Sequence, residues 1–301
     1  MITFLRLIRA PNIVTSVSNV CAGAFIIASL QSTLPMFFPL VKLMLCSAMM
    51  YACGIIWNDI FDLEVDKKVR PNRPLPSGAI KVSTAFSISA VFSILTILIS
   101  ATISLTAVLL CIAIMISALL YDTWWKHNDW AGSIAMGLCR SLNLSLGFCV
   151  FSSFSFHSEY PYLDVAIFFT GFHFLYVFSI TYVGTMQEGH APNWKIFLSF
   201  GLLFLLIAYV TVMPKDLYFT AKFLIIVLLA GAFYRLQLIY RFKKPRDIGL
   251  TVKYGILGLI PIDAIFTTVS ATSFTGVLPA LIMLIIFFPL SFGLAKAIEM
   301  T

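Results

Sequence analysis

Four oxygen-bearing side chains, Asn58, Asp59, Asp62 and Asp66, close an apolar run that extends from Met36 to Ile56 with Lys42 as its one charge. On a helix each residue turns the side-chain direction by about 100°. With Asn58 at zero, Asp59 falls at roughly 100°, Asp62 at 40° and Asp66 at 80°, whereas Glu64 falls at roughly 240°, on the far side. Carboxylates gathered on one face repel one another unless a cation lies between them, and hard oxygen donors suit Mg²⁺. Mg²⁺ usually takes one or two carboxylates together with phosphate oxygens, so a diphosphate is the natural third component. Lys67, Lys68, Arg70 and Arg73 follow directly and add positive charge. A solvated acidic loop beside a basic one is the plainer alternative, but it gives the acids no reason to keep angular register.

Other polar residues interrupt apolar surroundings. Tyr121 and Lys126 close a later apolar run, where an ammonium can neutralise phosphate oxygens or simply mark the inner membrane face. Tyr121, Trp124, Trp125 and Trp130 read most simply as an interfacial aromatic belt. Arg140 lies about ten residues into another run, where a charge costs about 2.5–3.5 kcal/mol and should face a cavity or a partner. Asn143 shares its helical face. Asn12 and Asn19 stand two turns apart and either line the same cavity or join helices by hydrogen bonding. His173 reads as a packed, hydrogen-bonded histidine, and Asp263 bears the same intramembrane cost as Arg140 with no partner evident in sequence.

These residues must be positioned by membrane helices. Of the 301 residues 60% are hydrophobic, and the mean hydropathy is +0.98. The apolar runs are long and unalternating, which selects helices over a β-barrel and excludes a soluble fold. Apolar segments fall at about 11–31, 36–57, 82–101, 104–121, 130–151, 162–184, 195–213, 217–236, 253–271 and 276–297. Between the third and fourth only length demands a turn, near Ser100–Ser104, and Pro261 and Asp263 interrupt the ninth. Most of the 20 Lys and Arg residues fall on one side if the N-terminus is cytoplasmic. The net charge of +7 is therefore a topology and headgroup signal rather than a nucleic-acid footprint. The six cysteines stand singly in apolar segments and suggest neither zinc nor disulfides. Nothing at the start resembles a cleaved signal peptide. The abundant Phe, 28 in all, can line an apolar tunnel for an isoprenoid tail as well as face lipid.

The second and sixth segments both end in polar stretches at the inner face, the sixth in Gly184-Thr185-Met186-Gln187-Glu188-Gly189-His190. This faint internal repeat predicts two four-helix halves that share a cavity, followed by C-terminal helices. The expectation is a single all-α transmembrane domain over 1–301, a polytopic bundle of nine or ten helices. Its acidic-motif loop covers 58–81 and its second-motif loop 184–194.

Asn58-Asp59-xx-Asp62-xxx-Asp66, followed by Arg70-Pro71-Asn72-Arg73-Pro74-Leu75-Pro76-Ser77-Gly78, resembles the first signature of the UbiA superfamily of intramembrane prenyltransferases. The opening Arg9-x-Pro11-Asn12 and the Tyr121…Lys126…Arg140 spacing are also similar to that family. The resemblance implies a helical bundle around a central cavity, Mg²⁺-dependent ionisation of a prenyl diphosphate, and prenyl transfer to an acceptor, often aromatic. It implies that Asp59, Asp62 and Asp66 hold Mg²⁺ with help from Asn58. Arg70, Arg73, Lys126 and Arg140 would then neutralise the diphosphate, with Asn12, Tyr121 and Asn143 among the substrate-binding residues.

The second signature of the family usually offers paired aspartates, whereas here Glu188 supplies one carboxylate, which His190 can supplement. Glu188 and the Ile-Pro-x-Asp stretch at Pro261–Asp263 look closest to the UbiA-like proteins of Ebo-type bacterial gene clusters. The first reading is accordingly a Mg²⁺-dependent prenyltransferase of the bacterial cytoplasmic membrane, working on a prenyl diphosphate and a lipophilic acceptor. A second is a catalytically reduced lipid-diphosphate binding or transport component. A third is an ion-coupled transporter that uses Arg140 and Asp263.

Overall fold

A computed structural model describes residues 2–151, 162–188, 192–211, 219–242, 245–268 and 279–298. The described residues are all-helical. The elements are α1 (Ile2–Leu7), α2 (Ala10–Leu30), α3 (Phe37–Phe61), α4 (Leu63–Val69), α5 (Val82–Ala101), α6 (Leu105–Thr123) and α7 (Asp129–Phe148). They continue with α8 (Leu163–Gly184), α9 (Asn193–Thr211), α10 (Phe219–Phe242), α11 (Pro245–Leu257), α12 (Leu259–Thr268) and, after a π-helical turn at Met283–Phe287, α13 (Phe288–Ile298). Among the described residues six helices are long and apolar enough to cross a bilayer, counting Arg246–Thr267 as one, and Asn193–Ala208 and Pro279–Leu294 are shorter apolar helices.

Local chemistry accounts for the boundaries. The unpunctuated run through Ser100 does turn, because Ser104 caps α6 by accepting a hydrogen bond from the Ala107 amide at 3.1 Å. Asn128 caps α7 in the same way, accepting from the Trp130 and Ala131 amides. The ninth apolar segment differs from expectation. Helix begins earlier, at Pro245, and the interruption falls at Gly258, between α11 and α12. Pro261 lies in the first turn of α12, where an amide hydrogen would have no helical partner to lose.

Helices α2 and α7 form the centre. α7 packs on α2, α6 and α8, and α2 packs in addition on α3, α12 and α13. Their crossing is close because Gly23 and Gly147 carry no side chain: a Cβ on Gly23 would run into the Leu144 carbonyl, and one on Gly147 into the Val20 carbonyl. In a bilayer, where lipid is as apolar as leucine, such close approach is a main source of helix association. α5 lies at the periphery and turns Phe86, Val91, Ile94 and Leu98 outward.

The ends of several helices meet on one face. Lys126, after α6, pairs with Asp62 at the end of α3. Asp129, at the start of α7, pairs with Lys195 at the start of α9. Trp130 packs on Tyr182, near the end of α8, with ring centroids 5.3 Å apart. The acidic stretch and the second polar helix end therefore share a membrane face.

Candidate active site at the end of the third helix

The helical ladder runs almost unbroken through the acidic stretch, with the Asp62 amide bonded to the Asn58 carbonyl and the Asp66 amide to the Asp62 carbonyl. Asp62 itself, at φ −91 and ψ 5, leaves helical geometry and separates α3 from α4. That bend divides the expected four-residue face in two. Asp59 and Asp66 turn toward Arg73, Asp62 toward Lys126, and Asn58 toward Asp122. Glu64 does lie on the far side, exposed and bonded to Lys67, which holds its carboxyl below the usual range.

Arg73 is the cation between the two inner carboxylates. Its Nη1 lies 2.6 Å from Asp66 Oδ2 and 3.4 Å from Asp59 Oδ1. Both aspartates are buried. Burial lowers the Arg73 pKa, and so does Arg9 nearby; the two carboxylates oppose that shift. Arg70 adds a longer contact to Asp66 at 3.7 Å and is half exposed. Arg9 donates from Nη2 to Asp59 Oδ1 at 2.9 Å. Its backbone is left-handed, φ 46 and ψ 57, a conformation that costs a non-glycine residue of order 1–3 kcal/mol. That turn, just ahead of Pro11 in α2, aims the guanidinium at Asp59.

Two residues at the mouth escaped the reading of the sequence. Arg9 was visible only as part of an opening motif, and its contact to Asp59 spans 50 residues. Asp122 is buried at the end of α6 and accepts a hydrogen bond from Asn58 Nδ2 at 3.0 Å. Because a carboxylate only accepts, this contact fixes which way the Asn58 amide points. The one signal for Asp122 was its place between Tyr121 and Lys126. Tyr121 itself sits at the end of α6 beside Gly132 of α7.

Hard oxygen donors and alternating charge fit a Mg²⁺ site chemically. Among the described residues, however, no three acidic, His or Cys side chains converge to hold a metal. Each of the three aspartates is held by a base instead. Glu188 ends a short 3₁₀ turn, Thr185–Glu188, after α8. Its side chain, and His190 altogether, lie outside the described residues.

The deeper polar residues form a second, separate network on α2. Asn143 is wholly engaged: its Oδ1 accepts from Ser47 at 2.7 Å, and its Nδ2 donates to the Ser16 carbonyl and to Asn19 Oδ1. Asn19 and Ser18 donate in turn to Asp263, whose other contact is His173 Nε2 at 2.8 Å. Asn19 therefore joins helices rather than lining a cavity with Asn12, and Asp263 has a partner after all. Arg140 donates from Nη2 to Thr15 Oγ1 at 2.9 Å and lies over the Tyr51 ring, 5.2 Å from its centroid. Asn12 is buried, and its Oδ1 has no hydrogen-bond partner. Arg140 and Asp263 do not contact each other.

Comparison with known proteins fits this geometry. The chain matches the UbiA prenyltransferase family over residues 16–190. A digeranylgeranylglyceryl phosphate synthase of Sulfurisphaera tokodaii is 39% identical over 92 residues, which is 31% of this chain and 32% of that protein. The matched stretch thus spans about a third of the length of this curated relative. A solved structure of a digeranylgeranylglyceryl phosphate synthase is 18% identical, has a TM-score of 0.69, and covers 90% of this chain and 98% of its own. The structure of a UbiA homolog from Archaeoglobus fulgidus bound to GPP and Mg²⁺ is 16% identical, has a TM-score of 0.58, and covers 98% of this chain and 99% of its own. At such identities the two structures speak for the fold alone. With more than half of the chain inside the family match, this multi-pass, all-helical membrane protein belongs to the UbiA prenyltransferase family.

Proposed function

We propose that the protein is a Mg²⁺-dependent intramembrane prenyltransferase, which ionises a prenyl diphosphate and transfers the prenyl group to an aromatic or other lipophilic acceptor. The observation that carries this reading is the Asp59–Arg73–Asp66 bridge beside the Asp62–Lys126 pair, at the inner end of α3. Carboxylates and cations alternate there, so the mouth offers donors to a divalent ion and counter-charges to a diphosphate in one place. Asp59, Asp62 and Asp66 would hold Mg²⁺, with Asn58 oriented by Asp122, and Glu188 would contribute from the end of α8. Bound Mg²⁺ supplies electrostatic stabilisation of the leaving diphosphate.

Arg9, Arg70, Arg73 and Lys126 orient the diphosphate and balance its charge from the protein side. Tyr121, at the end of α6 beside Gly132, would contribute to substrate binding. An apolar, aromatic-lined space beneath the mouth would exclude water and stabilise an allylic cation. The organism and orientation follow the same proposal: a bacterial inner membrane with the mouth and N-terminus cytoplasmic, on the branch found in Ebo-type clusters. The structure of the Archaeoglobus fulgidus homolog with GPP and Mg²⁺, and the names of the synthases similar to this chain, support the reading.

The test is turnover. Purified protein with prenyl diphosphates of several lengths, Mg²⁺ and membrane extract should release pyrophosphate, and Asp62→Ala and Asp66→Ala should abolish that release. Full activity in both variants would remove the assignment. A second reading, a binding or transport component without chemistry, is favoured by the single carboxylate of the second motif. Tight binding of prenyl diphosphate with no pyrophosphate released by the wild-type protein would select it.

A further inference from the structure

Arg235 lies seven residues short of the end of α10, about 10 Å inside the helix. Phe197, early in α9, packs on Tyr240 near that end with ring centroids 5.7 Å apart, and Lys195 of α9 pairs with Asp129. This end of α10 therefore shares its membrane face with the acidic stretch. The guanidinium is held by α11. Nη2 donates to the Asp247 carbonyl at 3.2 Å, Nε donates to Thr251 Oγ1 at 3.4 Å, and the Tyr254 ring centroid lies 5.8 Å from Cζ. Asp247, Thr251 and Tyr254 follow at intervals of four and three, on one face of α11. All three contacting groups are uncharged. Among the described residues Arg235 makes no ion pair, whereas Arg9, Arg73, Lys126 and Lys195 are each held by an aspartate. A cation that is oriented within a membrane helix but not neutralised calls for an anion from outside the chain.

Helical angle shows from which side that anion comes. Measured from Arg235, Leu236 and Ile239 stand at roughly 100° and 40° and are buried, whereas Tyr234 and Arg241 stand at roughly −100° and −120° and are exposed. Measured from Asp247, Ile248 and Gly255 stand at roughly 100° and 80°, Ile248 buried and Gly255 against Ile180 of α8. Arg246 and Lys253 stand at roughly −100° and −120°. α10 and α11 run antiparallel, so angles of like sign fall on the same side of the pair. Arg246 and Lys253 thus join Tyr234 and Arg241 on the outer side, away from α8. Deeper on the same stripe of α10, Val227 is exposed and Gly231 has open space where a Cβ would stand. Basic at its end, aromatic below and apolar in depth, the stripe follows the polarity of a phospholipid. We propose that the outer cleft between α10 and α11 seats an anionic phospholipid of the surrounding leaflet, its phosphate on Arg235 and an acyl chain along Gly231 and Val227. The guanidinium fork matches phosphate oxygens, and Arg246 and Lys253 favour a headgroup of net negative charge over a zwitterionic one. Tyr234 and Tyr254 frame the cleft with rings suited to the headgroup level. α11 also packs on α8 and on the Thr185–Glu188 turn, so the lipid braces the helix behind the second motif. The seat does not depend on the reaction assigned above.

Full-length protein, stripped of lipid in a neutral detergent, is titrated calorimetrically with dioctanoyl phosphatidylglycerol, dioctanoyl phosphatidylcholine and inorganic phosphate. Phosphatidylglycerol should bind roughly tenfold more tightly than either of the others. Arg235→Gln should lower its affinity about fivefold, the equivalent of roughly 1 kcal/mol for one basic residue at the headgroup level, and Arg235→Lys should recover part of the loss. Equal binding of the two lipids by wild type overturns the proposal, as does phosphatidylglycerol affinity unchanged in Arg235→Gln. Inorganic phosphate binding as tightly as the lipid also overturns it and points to a soluble anion. A repeat with geranyl thiodiphosphate and Mg²⁺ at saturation should leave phosphatidylglycerol binding within twofold. Its displacement would place the lipid at the acidic stretch and overturn the seat. Should Arg235→Gln not fold, Gly231→Leu, which puts a side chain into open space along the cleft, should weaken phosphatidylglycerol binding about fivefold, and unchanged affinity there sinks the proposal.

Discussion

Asp263 Oδ1 and His173 Nε2 meet at 2.8 Å, ninety residues apart in the chain and both fully buried, with one proton held between them. They tie α8 to α12, and through Ser18 and Asn19 they tie both to α2. Removing one partner strands the other in a medium that solvates it poorly, at a cost of about 3–5 kcal/mol. Asp263→Ala and His173→Ala should each lower the thermal midpoint in detergent substantially. The double replacement Asp263→Leu with His173→Leu should be less harmful than the sum of the single losses, because it leaves nothing unpaired. Additive losses would mean that the two side chains act separately.

Arg73 separates two carboxylates that would otherwise face each other. Arg73→Ala should lower stability, by about 3 kcal/mol, since the contact is largely buried. Added Mg²⁺ should raise the thermal midpoint of Arg73→Ala more than that of wild type, because a divalent ion takes over the separation of Asp59 and Asp66. Equal Mg²⁺ responses would indicate that the ion does not bind between them.

Asp122 holds the Asn58 amide by its nitrogen. Asp122→Asn removes a partner that can only accept, so the Asn58 amide is free to turn over. Loss of such an orienting contact typically weakens a metal site about 10–100-fold. Mn²⁺ affinity measured by electron paramagnetic resonance should fall by that factor at a nearly unchanged thermal midpoint. A stability loss with Mn²⁺ affinity intact would reduce Asp122 to a packing residue.

Gly23 and Gly147 lie where α2 and α7 cross, each against a carbonyl of the other helix. Gly23→Ala or Gly147→Ala forces the helices apart and should cost about 1–3 kcal/mol, read as a lower thermal midpoint. Gly201 and Gly231, in α9 and α10, have open space where a Cβ would stand. Gly201→Ala and Gly231→Ala should be neutral or stabilise by up to about 1 kcal/mol. A matching loss at all four positions would show that crowding at the crossing is not the cause.

Much of this molecule was legible from one dimension because its signals are local. Apolar length marks the spans, and even the unpunctuated run near Ser104 turns where span length requires. The acidic stretch declared itself by helical angle, and Glu64 was rightly placed on the far face. The sequence could not show that Asp62 leaves helical geometry, which sends Asp59 and Asp66 to Arg73 but Asp62 to Lys126. Nor could it pair residues across long separations: Arg9 with Asp59, Asn58 with Asp122, His173 with Asp263. The ninth segment misled for a related reason. Proline looks like the breaker, yet at the first turn of a helix it is harmless, and the chain breaks at Gly258 instead.

The central claim is that the acids at the end of α3 grip a divalent ion bridged to a prenyl diphosphate. Crystals grown with geranyl thiodiphosphate and soaked in Mn²⁺ test it most directly, through the anomalous signal. The account predicts a peak within coordination distance of Asp59, Asp62 or Asp66, with the thiodiphosphate beside it and Arg73 turned toward its phosphates. Bound thiodiphosphate with no anomalous peak at those carboxylates, and Arg73 still bridging Asp59 and Asp66, would contradict it.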